Sequence, residues 1–326
     1  MPAARHAAAL QPAAAVEYPS LVRPVLFVHV SKAGGTLFLD MASRNYNLTQ
    51  YPTTQDNMWT GGDGPTWCCN SPPVEELDCA ERERRMRLQG WRIAAIERYL
   101  DNGGQLCPQF DYVTLLRDPI DRVFSHVNHW FHNLRMASHY PVQIADPPMP
   151  REAFRTRDFF RRVSKSDCTT TSIREAILDM DYVRAHRVPL PRRLFDDDLS
   201  PLCGIVENYQ TRSLLGTSFA PRPFGAHGRR SLDAAQLGRA QSMLERFKLV
   251  LTIDDFGSAS SRVADELESA LGWTNTTIDP SHSNTHHYED ILVQSETGAD
   301  EMQLLRSMNA MDSALYERAR WQGIRS

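Results

Sequence analysis

A lysine, two glycines and a threonine lie close together in the segment Ser31-Lys32-Ala33-Gly34-Gly35-Thr36. Glycines let backbone N–H groups approach an anion closely, and the lysine ammonium adds positive charge. A nucleoside triphosphatase loop places its lysine after the glycines, directly before Ser or Thr. Here Lys32 precedes the glycines, and the loop is shorter than a triphosphatase loop. The order of residues therefore disfavours a triphosphate and favours one phosphate that carries a transferable group.

An arginine and a serine form a second candidate anion site. Arg117 directly follows an apolar run at 110–116, and Ser125 comes about two helical turns later. A guanidinium and a hydroxyl together bind a phosphate dianion well. The nearby Arg122 is spaced to pair with Asp118 at (i, i+4), so we expect that ion pair. The second site therefore rests on Arg117 and Ser125.

Strands and helices alternate around these residues. Residues 25–30 form an apolar run typical of a strand buried on both faces, and helical spacing follows the loop. Further strands are predicted at 92–97 and 249–253. This alternation predicts an α/β fold with a mainly parallel central sheet and helices on both faces. Such sheets bind ligands at the carboxyl ends of their strands, where Lys32 and Arg117 would lie.

Composition limits the kinds of partner. The chain has 326 residues and a formal net charge of −4, which disfavours general binding to nucleic acid. No apolar run approaches the ~20 residues that span a bilayer, so we expect no membrane segment. We expect an Ala-rich disordered tail at 1–20 and a single domain at 21–326, with loop excursions at about 51–80 and 136–200.

Cysteines and glycosylation sequons bear on the cellular compartment. None of the six cysteines forms a C-x-x-C array, so we expect no zinc site. Cys68, Cys69 and Cys79 lie close together, and we expect one local disulfide among them. Sequons begin at Asn47 and Asn275. These features favour a secretory-pathway lumen, while the cytoplasm stays open because no leader or anchor pattern is seen.

Together the two motifs resemble the membrane-associated, carbohydrate-type sulfotransferases, a Golgi group that includes heparan sulfate 2-O and 6-O enzymes. Residues 28–36 are similar to the family's 5′-phosphosulfate loop, whose pattern is close to His-Ile-Pro-Lys-Thr-Gly-Gly-Thr. Residues 115–125 are similar to its 3′-phosphate motif. Ser31 and Ala33 depart from the family pattern, which has proline and threonine there. The resemblance continues, less specifically, through 207–212, 254–256 and 283–285.

The resemblance implies a P-loop-like nucleotide-binding fold and transfer of a sulfuryl group from 3′-phosphoadenosine 5′-phosphosulfate. It implies no metal, since a lysine and a helix dipole supply the positive charge. The acceptor is expected to be a sugar hydroxyl, although a lipid, a tyrosine or a small metabolite would use the same donor site. The implied cofactor-binding residues are those of the two motifs and two later ones: Ser31, Lys32, Ala33, Gly34, Gly35, Thr36, Arg117, Ser125, Arg212 and Ser283.

Glu97 is the candidate general base. It ends the second predicted strand, on the same sheet edge as Lys32, and related sulfotransferases carry a Glu or His in this topological place. Lys32 would stabilise the leaving phosphate. His126 and His129, which follow the second motif, are the alternative bases. His29 lies inside the first predicted strand, where a packed core role is expected.

Two other functions stay open at the level of sequence. A small-molecule kinase would share the strand, loop and helix, but it needs a metal-binding carboxylate and the Gly-Lys-Thr order that this loop lacks. A non-catalytic nucleotide-binding protein of the same fold would explain the changed Ser31 and Ala33. The presence of Lys32, Arg117 and Glu97 favours an enzyme.

Overall fold

A computed structural model describes residues 23–46, 78–96, 100, 105–135, 149–166, 170–188, 200–216, 231–258, 260–277 and 291–323. Its strands are β1 (Val25–Val28), β2 (Ile93–Ile96), β3 (Asp111–Leu116) and β4 (Leu249–Thr252). The helices of the amino-terminal part are α1 (Gly35–Asn45), α2 (Cys79–Gln89) and α3 (Pro119–Arg135). The middle part contains α4 (Phe159–Lys165), α5 (Thr170–Ile177), α6 (Met180–Ala185), α7 (Ser200–Val206) and α8 (Tyr209–Leu215). The last helices are α9 (Ala234–Leu244), α10 (Asp255–Ser258), α11 (Ser260–Leu271), α12 (Ala299–Met308) and α13 (Ala310–Gly323).

The four strands form one parallel sheet in the order β2-β1-β3-β4. The chain passes from β1 to β2 on one side and later to β3 on the other side of β1. In open α/β sheets such a reversal of strand order leaves a crevice beyond the carboxyl ends of the strands. The parallel sheet confirms the α/β prediction, and the reversal of strand order falls between β1 and β3.

Helices cover both faces of the sheet, as predicted. Successive side chains of a strand point to opposite faces, so one strand supplies both cores. Leu26 and Val28 pack in one apolar cluster with residues of α3 and α13. Val25 and Phe27 pack in a second cluster with residues of α1 and α11. Strand β1 is therefore packed against helices on both of its faces.

Two predicted helices are interrupted. The pattern at 204–215 predicts one helix, but α7 and α8 are separated by Asn208, which has a left-handed φ of 47°. Asparagine tolerates this conformation better than most residues. The pattern at 302–320 is likewise divided, with Asn309 between α12 and α13. The helical spacing of apolar residues continues across both breaks, so this spacing does not reveal them.

The disulfide prediction is wrong for Cys79. Cys79 opens α2 and is bonded to Cys107, in the loop before β3, rather than to a nearby cysteine. Sequence proximity did not reveal that the fold brings α2 beside this loop. Cys68 and Cys69 lie outside the described residues, and Cys203 is also disulfide-bonded.

The described part of 136–200 contains α4, α5 and α6, whose apolar side chains, such as Phe160 and Ile177, enter the core. The predicted tail at 1–20 and most of the predicted excursion at 51–80 lie outside the described residues. Within the described ranges, none of the helices is both long and apolar enough to cross a bilayer.

Candidate active site

The loop after β1 has an unusual backbone conformation. Lys32 and Gly34 have positive φ values of 64° and 97°. The turn is closed by a hydrogen bond from the Ala33 N–H to the Val30 carbonyl (3.1 Å). A left-handed conformation costs a residue with a Cβ roughly 1–2 kcal/mol, so its occurrence at Lys32 has to be stabilised by the surrounding fold. Such strain collects at ligand-binding sites, which makes this loop a candidate one.

Both glycines of the loop are also required by packing. A Cβ on Gly35 would lie 1.7 Å from His29 Nε2, because the imidazole rests against the glycine. A Cβ on Gly34 would lie 2.4 Å from Ile253 Cδ1. His29 is buried and stacks on Phe27, with ring centroids 5.4 Å apart, which confirms its predicted core role. His29 thus holds the start of α1 close to the end of β1.

The amino terminus of α1 lies at the carboxyl edge of the sheet. Its N-cap is Gly34, which has no side chain to cap the first turn. The N–H groups in the first turn of a helix have no partners inside the helix, and they carry the positive end of its dipole. Lys32 is half-buried directly before this turn, and Thr36 is exposed on it. This arrangement is suited to binding an anion.

Arg117 brings the second motif against the first. It follows β3, and its Nη1 donates to the Lys32 carbonyl oxygen (3.2 Å). Asp118 caps the next helix, since its Oδ1 accepts from the N–H groups of Ile120 (2.9 Å) and Asp121 (3.1 Å). Ser125 is half-buried on α3, two turns after the cap. The predicted neighbourhood of Lys32 and Arg117 is therefore present in the structure.

Gln210 was not singled out by the sequence, yet it contacts Arg117 directly. Its Oε1 accepts from the Arg117 N–H (3.1 Å), and its Nε2 donates to the Arg117 carbonyl (2.9 Å). The glutamine is fully buried. Its position was hidden because it comes from α8, far along the chain, and only the tertiary structure brings it to β3.

The predicted Arg122–Asp118 ion pair is wrong. The Asp118 carboxylate caps α3, and the Arg122 side chain turns into the core, where it is fully buried. Its Nη2 donates to the Ile205 carbonyl, and its guanidinium lies 4.7 Å from the centre of the Tyr209 ring. Helical spacing alone could not identify these partners, because they belong to α7 and α8.

Arg122 also contacts His126 and bears on its tautomer. Arg122 Nη1 lies 3.1 Å from His126 Nδ1, and because a guanidinium only donates, Nδ1 must accept. Burial, followed by the positive charges of Arg122 and Lys32, holds the pKa of His126 well below its usual range. The ring is therefore neutral with its proton on Nε2. This tautomer is a hydrogen-bond donor at Nε2, so His126 does not fit the role of alternative base.

Acidic and phenolic groups border the same edge. Tyr316, on α13, donates to the Asp254 carboxylate just after β4. Burial and this hydrogen bond to Asp254 raise the pKa of Tyr316, so its hydroxyl stays protonated near neutral pH. The bond ties α13 to the carboxyl end of β4. Positive charge at this edge is supplied by Lys32, Arg117 and the start of α1.

Among the remaining predicted site residues, some are described by the structure and others lie outside the described ranges. Arg212 is fully buried and donates to the Glu207 carbonyl (3.0 Å) and carboxylate (3.2 Å), so its contact with a cofactor stays a prediction. His129 is half-buried on α3. β2 ends at Ile96, which pairs with Val28. Glu97 and Ser283 lie outside the described residues.

No protein-family model matches this chain, and no curated protein matches its sequence. The two motifs and the contact that joins them are therefore the observations that bear on its function.

Proposed function

We propose that this chain is a sulfotransferase that uses 3′-phosphoadenosine 5′-phosphosulfate as donor and an acceptor hydroxyl, with a carbohydrate acceptor favoured. One observation carries the proposal. The Arg117 guanidinium donates to the Lys32 carbonyl, so the two candidate phosphate motifs lie side by side at the carboxyl ends of β1 and β3. A nucleotide with phosphates at both ends of its ribose needs two such anion sites side by side.

The residues present suit the two phosphates. The 5′ end would be held by residues 31–36, where Gly34 leaves the first turn of α1 without a side-chain cap. The 3′-phosphate would be held by Arg117 and Ser125, a guanidinium and a hydroxyl beyond β3. The chain would thereby fix the donor in one register. When bound, the donor supplies a sulfuryl group attached to a phosphate leaving group.

Lys32 would stabilise the charge that develops at the loop, since its side chain is cationic and the residue shortly precedes the first turn of α1. Glu97 is proposed as the general base on the acceptor hydroxyl. His126 is neutral and protonated on Nε2, so in the proposed site it would donate a hydrogen bond rather than take a proton. Contacts with the cofactor are also proposed for Ser31, Ala33, Thr36, Arg212 and Ser283.

Two features support a secretory-pathway lumen as the location. The Cys79–Cys107 disulfide is a bond that persists in oxidising compartments. Asn275 begins a sequon and is exposed, two residues after the buried Trp273. A luminal location would bring the enzyme together with glycan acceptors.

The test is calorimetric titration with adenosine 3′,5′-bisphosphate and, in parallel, with adenosine 5′-phosphate. We expect tight binding of the bisphosphate, weak binding of the monophosphate, and turnover of the sulfated donor with a hydroxyl acceptor. Equal binding of both nucleotides, or no binding, would overturn the assignment. Preference for ATP with magnesium would favour the kinase alternative, and bisphosphate binding without turnover would favour the non-catalytic one.

Arg117→Ala is expected to remove most of the preference for the bisphosphate, because it deletes the proposed contact with the 3′-phosphate. Arg23→Ala is the matched control. Arg23 pairs with Asp111 (2.7 Å) at the opposite, amino-terminal edge of the sheet, so its removal should leave nucleotide binding unchanged.

A further inference from the structure

We infer that Gln210 is a positioning residue for the donor site, which it acts on by fixing the backbone of Arg117. The inference rests on the proposed function, because it gives Gln210 an effect on the binding of a 3′-phosphate. Gln210 itself is buried behind Arg117, and no contact between Gln210 and a ligand is required.

The sheet does not supply the hydrogen bonds that hold the Arg117 backbone. Strands β1 and β3 pair as far as Val28 and Thr114. On the other side, the Ile253 N–H donates to the Leu116 carbonyl (2.9 Å), which is the last ladder bond before the arginine. The Arg117 N–H and carbonyl both bond to the amide of Gln210 instead. The glutamine side chain thus continues the strand pairing by one residue.

Gln210 is itself fixed by a pair of helices that cap each other. Asp312, near the start of α13, accepts from the N–H of Gln210 (2.9 Å) and from the N–H and hydroxyl of Thr211 (2.8 Å each). In return, Asn208 Oδ1 accepts from the N–H groups of Met311 (3.1 Å) and Asp312 (3.2 Å). A side chain from each helix therefore satisfies backbone donors in the first turn of the other.

This support matters for ligand binding because the position of the Arg117 guanidinium depends on the backbone to which the side chain is attached. With Gln210 in place, Arg117 is held at two points, at its own peptide groups and at Nη1 by the Lys32 carbonyl. Loss of the amide would leave the peptide groups without these partners and free the arginine to change its direction. The contact most affected would be the one to the 3′-phosphate.

The test is the Gln210→Met variant, which keeps the length of the side chain and removes both hydrogen bonds. We expect the affinity for adenosine 3′,5′-bisphosphate to fall roughly tenfold, as for the loss of one to two neutral hydrogen bonds. Affinity for adenosine 5′-phosphate should change little. Gln236→Ala is the matched control, because Gln236 also bonds a backbone N–H, that of Asp233 in the cap of α9, and should leave both affinities unchanged.

Gln210→Glu provides a second variant if the methionine substitution prevents folding. A glutamate keeps an acceptor for the Arg117 N–H and loses the donor to its carbonyl, so a reduced but measurable bisphosphate affinity is expected. A folded variant with the wild-type preference for the bisphosphate would overturn the inference. Equal loss of both nucleotides would do so as well, because it would indicate a merely structural role. Failure of the wild-type protein to bind the bisphosphate would instead overturn the proposed function.

Discussion

At the scale of single residues, Lys32 joins an unusual backbone conformation to a functional side chain. Its φ is positive, and its carbonyl oxygen accepts a hydrogen bond from Arg117. Its ammonium is close enough to lower the pKa of His126. The lysine therefore affects Arg117 through its peptide group and His126 through its charge. A substitution that keeps the Cβ and removes the ammonium separates the effect of the charge from the effect of the backbone.

Lys32→Ala is expected to lower turnover roughly 100-fold or more, because it removes charge stabilisation of the leaving phosphate. Alanine also carries a Cβ, so the strain of the left-handed conformation should be similar. Lys248→Ala is the control, since Lys248 pairs with Asp111 at the amino-terminal edge of the sheet (3.6 Å). Steady-state rates measure the effect, and an unchanged rate for Lys32→Ala would contradict its role.

His126 is expected to stay neutral as the pH falls through the ordinary histidine value near 6.5, because burial, Arg122 and Lys32 all lower its pKa. A folded-state pKa below the unfolded value near 6.5 means that protonation favours unfolding as pH falls below that value. Imidazole ¹⁵N resonances recorded as the pH falls through this value should report an unchanging Nε2–H tautomer. Titration of His126 near the ordinary histidine pKa would show that the Arg122 contact is not maintained. The urea-unfolded protein serves as the reference for that ordinary pKa.

The sequence identified the residues whose role depends on local order and missed those whose partners are distant. Lys32 and Arg117 each follow a continuous apolar strand, so their edge could be predicted from periodicity. Helical spacing predicts an ion pair between Arg122 and Asp118, because it takes into account only neighbours on the same helix. Gln210 gave no local signal, since its partner Arg117 lies on another element.

At the scale of elements, the junction between β1 and α1 depends on a glycine that makes close contact with a histidine. Gly35 begins the helix, and the His29 ring occupies the space where a side chain would lie. The sequence predicted the glycine for access to an anion. Its packing role needed the structure, because His29 follows the strand and the contact forms across the turn of the loop.

Gly35→Ala is expected to destabilise the fold by about 1–3 kcal/mol, because the new methyl group overpacks against His29. Unfolding in urea measures this change, and bisphosphate binding should weaken with it. Gly238→Ala is the matched control. Gly238 lies within α9, and a methyl group there would meet no atom of another element within 4 Å, so alanine should stabilise the protein by up to about 1 kcal/mol.

Removing the histidine ring tests the cause. His29→Ala combined with Gly35→Ala should lose less stability than the sum of the two single changes, because the clash no longer exists. Additive losses would show that the glycine is needed for another reason.

At the scale of the whole molecule, bonds between distant segments connect the elements around the sheet. The Cys79–Cys107 disulfide joins α2 to the loop before β3 across a separation of 28 residues. The bonds between α8 and α13 hold Gln210, and the Tyr316–Asp254 bond holds the end of β4. These connections could not be predicted from periodicity, because each depends on which elements become neighbours.

The Cys79→Ala, Cys107→Ala double variant is expected to lose about 3–4 kcal/mol of stability, because the unfolded chain is no longer constrained by the loop. Substitution is preferable to a reductant, since Cys203 is also disulfide-bonded and would be reduced too. Urea unfolding measures the loss. A variant as stable as the wild type would contradict the expected contribution of this bond.

The dependence of Gln210 on Asp312 has a consequence for biosynthesis. A ribosome releases the segment with Lys32 and Arg117 early, but the carboxylate that secures Gln210 belongs to a much later helix. At ~5–20 residues per second, the delay is on the order of ten seconds or more. During that time the nascent chain carries both phosphate motifs without the support of α13. Nucleotide binding should therefore reach its full affinity only after α13 has left the exit tunnel and docked.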